Sequence, residues 1–217
     1  MKKNFIPTID VSALLKNINS NTSKQIIKNI EKACVEVGFF QIINHGINKK
    51  QIQSICYVGN KFFNSSEKNK IKLAPKKWNK KNKNVYRGYF PKDVNGKEGL
   101  DIGDTKVTKK YAQSIKNQYI EYLNLKKSID KKSIKTLSKY FDNIFILCEI
   151  LFKSVIKLYK NDTNISQKAF SRLKTLSTLR FNYYPNQSKP VEISKQDGVS
   201  LGCETHVDSG IFTVLYQ

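Results

Sequence analysis

The spacing of apolar residues changes period along this chain, and that change restricts the fold more than any other feature. Up to about residue 160 the long apolar segments repeat at helical spacing, whereas from 176 onward they alternate. Ile26, Ile27, Ile30, Ala33, Cys34 and Val37 share one face of a helix predicted over 24–37, capped by Ser23 and stopped by Gly38. Ile52, Ile55, Cys56, Gly59 and Phe62 mark one side of a second helix over 49–63. Ser66 and Glu67 begin a shorter one. A long helix over 131–160 carries Ile134, Leu137, Phe141, Phe145, Cys148, Leu151, Phe152 and Val155, and Asn161–Asn164 breaks it. Short strands are expected at Phe5–Asp10 and Phe39–Ile43, the latter stopped by the turn Asn44-His45-Gly46. Further strands are expected over 176–184, about 199–207 and 211–216. Helices first and strands last predict an α+β fold whose antiparallel β core comes mostly from the C-terminal part. The stretch 74–110, rich in Lys, Asn, Gly and Pro, reads as an irregular loop, either functional or poorly ordered.

A chain of 217 residues can build one core with a helical layer beside it. No apolar run approaches the roughly 18 residues a membrane helix needs, and none follows the basic N-terminus. The cytoplasm is therefore the expected compartment, with no membrane partner. Cys34, Cys56, Cys148 and Cys203 lie far apart and are expected to be reduced, with Cys34 and Cys148 on apolar helix faces. The formal charge of +22 raises the question of nucleic acid. Of 39 basic residues, however, only Arg87, Arg172 and Arg180 offer the bidentate fork that base readers favour. The expectation is no specific nucleic-acid partner, with weak charge-driven association more in keeping with dispersed lysines.

Near the C-terminus, His206 and Asp208 are two residues apart. On a strand both project from the same face, placing an imidazole nitrogen beside a carboxylate oxygen. That is two-thirds of a facial triad, which a second histidine would complete around iron(II). The triplet also arises often by chance, and alone it reads more readily as a satisfied pair at a strand end than as a metal site. Leu179-Arg180-Phe181-Asn182-Tyr183-Tyr184 alternates, with Leu179, Phe181 and Tyr183 on one face and Arg180, Asn182 and Tyr184 on the other. Its polar face either lines a cavity or meets water.

Taken together, five blocks are recognisable: Phe5–Asp10, Gly38–Ile47, Tyr86–Pro91 with Lys97–Gly103, Leu179–Pro185, and Gly202–Gly210 with Thr213–Leu215. In this order they resemble the isopenicillin N synthase-like branch of the iron(II)/2-oxoglutarate-dependent oxygenases. The resemblance implies a double-stranded β-helix (jelly-roll) core behind an N-terminal helical layer. It implies Fe(II) on His206 and Asp208, and 2-oxoglutarate as cosubstrate near Asn182 and Tyr184, with the Tyr184 hydroxyl donating to a carboxylate. It also implies a small-molecule substrate. The histidine of the N-H-G block, His45, is structural in that family. The family's second histidine and its R-x-S clamp have no counterpart here, so the core is expected to be incomplete at the C-terminus and this chain to bind iron poorly alone. Arg180 lies in the wrong block to replace the clamp. The expected organisation is an N-terminal oxygenase region with a variable loop (1–110), a long helix and linker (111–172), and the start of the jelly-roll core (173–217). An unfinished sheet would also favour self-association. Two alternatives remain: a non-catalytic fragment or interaction protein keeping the fold, and a basic nucleic-acid binder.

Overall fold

A computed structural model describes residues 6–92, 96–115, 120–157, 172–174, 176–185, 192–193, 198–201, 210 and 213–216. Its elements in chain order are β1 (Thr8–Asp10), α1 (Ser12–Lys16), α2 (Asn21–Glu36), β2 (Gln41–Ile43), α3 (Lys49–Phe63), α4 (Glu67–Ile71), β3 (Gly88–Phe90), β4 (Glu98–Ile102), α5 (Lys109–Ser114), α6 (Lys131–Ile156), β5 (Leu179–Tyr183), β6 (Glu192–Ile193) and β7 (Ser200–Leu201). Two compact units divide them: Met1–Ser54 with Lys139–Thr175, and Ile55–Ser138 with Leu176–Gln217.

In the first unit β1 and β2 pair in parallel, Ile9 opposite Ile42. Ile9, Val11 and Leu14 pack with Ile27, Ile30 and Ala33 of α2 and with Leu147 and Leu151 of α6. The turn after β2 needs left-handed backbone at Asn44 (φ 55) and Gly46 (φ 80). Asn44 Nδ2 donates to Asp10 Oδ2 at 2.6 Å, and the Ser12 N–H donates to Asp10 Oδ1 at 2.8 Å, so one carboxylate ties the turn to the start of α1. Cys148 is half-buried on α6, and burial pushes its thiol up to about 11.

In the second unit β3, β4 and β5 form an antiparallel sheet in that order. Gly88 at φ 126 brings the backbone so close to Leu73 that a Cβ there would lie 2.0 Å from the Leu73 carbonyl oxygen. The Tyr89 N–H donates to that same carbonyl at 3.2 Å, which is how the chain enters β3. Glu98, at the start of β4, accepts from Lys70 Nζ and from the Tyr89 hydroxyl, each at 2.6 Å. Burial, followed by this carboxylate, raises the Tyr89 phenol well above its ordinary range. A sixth helix begins at Asp130, whose carboxylate caps it by accepting from the Ser133 N–H at 2.9 Å and also pairs with Lys61 at 3.0 Å.

Several sequence expectations hold in outline and shift in detail. The helix over 49–63 is found at those limits, and α6 matches the long helix as far as Ile156, with 158–160 outside the described residues. The second helix starts three residues earlier than expected: Ser20, not Ser23, is its cap, its Oγ accepting from the Ser23 N–H at 3.1 Å. Ser23 is instead fully buried and donates to the Asn17 carbonyl. Two serines three apart offer the same local signal, and tertiary burial chooses between them. Cys34 and Cys56 are exposed rather than on the buried faces, one helical step beyond Ala33 and Ile55.

The stretch 74–110 is a larger correction. It supplies β3 and β4, so that among the described residues two of the three strands of the main sheet come from outside the C-terminal part. Short runs broken by Gly and Pro gave no clean alternation, although long-range pairing stabilises them. Residues 213–216, expected in a final strand, carry none, and Leu215 and Tyr216 are exposed. Of the strand expected over about 199–207, Ser200 and Leu201 pair with β6, and 202–207 lie outside the described residues. No helix among the described residues is long and apolar enough to cross a membrane.

The cap at Asp130 carries a pH signature. The Ser133 N–H, then Lys61, hold its carboxyl well below the usual range. A depressed folded-state pKa contributes stability that is present above the unfolded value of about 4 and lost as pH falls through the folded value. Asp130→Ala should therefore lower the melting temperature at pH 7, and that difference should shrink as melting is repeated below about pH 4. A difference constant with pH would show that the carboxylate's charge is not what holds the cap.

Candidate functional site

The site is built on β4 and β5, whose register sorts their side chains onto two faces. Leu100 lies opposite Phe181, and Ile102 opposite Leu179; Asp101 lies opposite Arg180, and Gly99 opposite Asn182. The first set is the apolar face. Phe181 sits on Gly59 of α3, where a Cβ would come within 2.8 Å of its ring, and Tyr183 stacks on Phe63 with centroids 5.3 Å apart. A helix thus covers this face closely, and only because position 59 has no side chain.

The opposite face carries the polar residues expected from the sequence. Arg180, Asn182 and Tyr184 are all exposed. Arg180 is held by Asp101 in a bidentate pair, Nε to Oδ1 at 2.7 Å and Nη2 to Oδ2 at 2.5 Å. The carboxylate is almost wholly buried while the guanidinium stays more than half exposed. Such a fork fixes both the direction and the plane of the cation. Because Gly99 faces Asn182 across the ladder, no side chain from β4 crowds that amide. Lys97 Nζ lies 5.8 Å from the Tyr184 ring centroid.

Beside Asp101 stands a second cation, and this one is buried. Arg87 is buried, donates through Nη2 to the Leu176 carbonyl at 2.9 Å, and packs its Nε where a Cβ on Gly103 would otherwise lie, 3.0 Å away. Burial lowers its pKa, while Asp101 and then Glu121 oppose that shift. Glu121 accepts from the N–H groups of Val85, Tyr86 and Arg87 at 2.7, 2.9 and 3.0 Å, pinning the entry to β3. The sequence reading missed Asp101, Gly99 and Glu121 as site-shaping residues. Asp101 was legible only as one acid in Leu100-Asp101-Ile102, where strand alternation puts it opposite the apolar face.

His206 and Asp208, the expected metal ligands, lie outside the described residues. His45 Nδ1 accepts from the Ile47 N–H at 3.2 Å, a local role that agrees with its reading as structural. Among the described residues no cluster of three or more His, Cys, Asp or Glu could hold a metal ion. A shallow cleft of about 160 Å³ lies at the other end of β4, lined by Ile102, Asp104, Val107, Tyr122 and Ile134 among others. It takes in none of the residues expected to bind cofactor.

The donor set on the polar face has a definite chemistry. A phenol hydroxyl and an amide NH₂ two residues apart can both donate to a carboxylate, while the guanidinium beside them is already paired with Asp101. The residue types expected nearby, an imidazole and a carboxylate, suit ferrous iron.

Comparison with known proteins bears on these features. The family described as non-haem dioxygenase in morphine synthesis N-terminal matches residues 6–139. A probable iron/ascorbate oxidoreductase of Dictyostelium discoideum is 28% identical over 98% of this chain and 63% of its own length. Isopenicillin N synthase of Streptomyces griseus is 26% identical over 98% of this chain and 65% of its own length. The crystal structure of JOX2 in complex with 2OG, Fe and JA aligns with a TM-score of 0.58 at 18% identity, covering 86% of this chain and 50% of that one, which shows a shared fold. The chain spans between about half and two thirds of the length of the curated relatives it matches.

The contact at Gly59 gives a prediction with an unusual sign. Helix propensity alone would make Gly59→Ala stabilising by about 1 kcal/mol. The Phe181 ring stands where the methyl must go, and overpacking costs typically 1–3 kcal/mol. Urea denaturation should show a net loss of up to about 2 kcal/mol, and a gain in stability would mean that α3 does not press on β5 at that point.

Proposed function

The chain belongs to the non-haem dioxygenase N-terminal family, and from that premise we propose that it carries the first part of an iron(II)- and 2-oxoglutarate-dependent oxidoreductase acting on a small organic molecule. The observation that most supports this reading is the division of β5: apolar side chains under a helix, and Arg180, Asn182 and Tyr184 exposed together on the other side. In this reading residues 173–217 begin a jelly-roll core, 1–110 are its N-terminal region, and 111–172 the linking helix.

The proposed roles follow from side-chain chemistry. His206 and Asp208, two residues apart in the sequence, supply a nitrogen and an oxygen ligand. Tyr184 donates its hydroxyl to a carboxylate of 2-oxoglutarate, and Asn182 lies toward the metal end of the cosubstrate, where Gly99 leaves room beside it. Asp101 keeps the Arg180 guanidinium from swinging into that space and, by neutralising it, keeps it from competing as a second anion site. When bound, iron and 2-oxoglutarate would activate dioxygen, which is the oxidant for hydroxylation, desaturation or ring closure of the substrate. β5 is an edge strand of the main sheet among the described residues, and self-association through that edge is part of the same proposal.

Calorimetric titration under anaerobic conditions, first with Fe(II) and then with 2-oxoglutarate, tests the assignment. His206→Ala and Asp208→Ala should each weaken iron binding at least about tenfold, since each removes one ligand of a small set. Tyr184→Phe should leave iron binding intact and weaken 2-oxoglutarate about tenfold or more, the worth of a hydrogen bond to a charged group. Iron binding indifferent to both ligand variants would overturn the reading.

A further inference from the structure

The 25 residues from Lys68 to Lys92 contain ten Lys and Arg and no Asp or Glu. Two of the ten are taken up inside the fold: Lys70 pairs with Glu98, and Arg87 is buried. Five others, Lys76, Lys77, Lys80, Lys81 and Lys83, are exposed in a nine-residue loop, Lys76–Asn84, that closes on itself through a 2.7 Å hydrogen bond from the Lys76 N–H to the Asn84 carbonyl.

This loop is not a loose tail. Asn82 is buried, and its Nδ2 donates to the Lys72 and Ala74 carbonyls at 3.0 and 2.7 Å, while its Oδ1 accepts from Lys127 Nζ at 2.6 Å. Asn79 Nδ2 donates to the Ile71 carbonyl at 3.0 Å, and its Oδ1 accepts from the Lys81 N–H at 3.1 Å. Trp78 is turned toward β3, edge-on to Phe90 at 5.6 Å between centroids, with Lys77 Nζ 4.6 Å from its ring. Two asparagines and one aromatic therefore pin the loop from inside and leave its lysines outside.

A closed loop of nine residues keeps its members within roughly 15 Å of one another. Charges farther apart than the screening length of about 8 Å at physiological salt are largely screened, so the repulsion acts chiefly between sequence neighbours such as Lys76–Lys77 and Lys80–Lys81. No acid in the segment relieves that repulsion, and a closely spaced row of anions would. Lysine ammoniums act as point charges on phosphate and carry no base readout. The loop also presents no exposed apolar side chain to enter a bilayer, since its one aromatic is docked on Phe90; the exposed Val85 and Tyr86 follow it, with their N–H groups bound by Glu121. We propose that the Lys76–Asn84 loop is a docking surface for the phosphate backbone of nucleic acid, bound without regard to sequence. It is independent of the oxygenase reading.

Fluorescence anisotropy with a labelled 20-nucleotide RNA and a 20-base-pair DNA, from about 50 to 300 mM KCl, tests it. Wild type should bind at low salt, with an affinity that falls steeply as salt rises and is the same for unrelated sequences. A variant with Lys76, Lys77, Lys80, Lys81 and Lys83 all changed to Gln should lose at least about tenfold in affinity at 50 mM KCl, and its salt slope should fall by about 2 or more. The matched control changes five exposed lysines of the other unit, Lys24, Lys28, Lys32, Lys49 and Lys50, to Gln and should stay within about twofold of wild type. Circular dichroism establishes that each variant is folded, and Lys80→Gln with Lys81→Gln serves if the fivefold loop variant is not. Equal losses in the loop and control variants would overturn the proposal, because the binding would then belong to net charge alone. So would an absence of binding by wild type at 50 mM KCl, or tighter binding to phosphatidylserine vesicles than to either nucleic acid.

Discussion

The polar face of the main sheet depends on how closely α3 can lie against its other side, and Gly59 sets that distance. Phe181 occupies the space where any other residue would carry a Cβ, and Tyr183 then stacks flat on Phe63 one turn further along the helix. With its apolar side chains committed to the helix, β5 has to turn Arg180 and Asn182 the other way, because a strand offers only two directions. A register slip of one residue would bring Arg180 and Asn182 under α3 and expose two aromatics, which is why one close helix contact orders the whole ladder.

Charge is arranged around that ladder in layers. Asp101, inside, holds Arg180, outside; Arg87, further in, is balanced by Asp101 and Glu121; and Glu98 at the strand's start serves Lys70 and Tyr89. Each buried charge has an opposite partner or backbone groups to bond, as a low-dielectric interior requires. The main-chain amides entering β3 are satisfied by a side chain, Glu121, rather than by a neighbouring strand. This dependence on side-chain bonding explains why the segment looks unstructured to pattern reading: its order comes from single Asn and Glu residues at long range, not from periodic burial.

The site and the basic loop make opposite uses of positive charge. Arg180 is oriented and neutralised by its bidentate pair with Asp101. The lysines of Lys76–Asn84 have no acid among their neighbours in sequence and sit on a frame of asparagine bonds, so their field reaches solvent. A +22 chain could have spread all its charge evenly, and 16 of its 36 lysines do lie along α1–α6. The loop differs in being closed and rigid.

The helices were legible from residue order alone: α3 and most of α6 follow from apolar spacing, since a helix buries one face over many turns and repeats its signal. The two faces of β5 were legible for the same reason, as was the local role of His45 at its turn. Family membership, too, could be read from five short blocks. Tertiary structure alone decided which of two serines caps α2, that Cys34 and Cys56 point outward, that β3 and β4 exist, and that Asp101 is the partner of Arg180. Those outcomes hang on contacts between residues distant in sequence, where a three-residue strand or a lone acid carries too little local free energy to declare itself before its partner arrives.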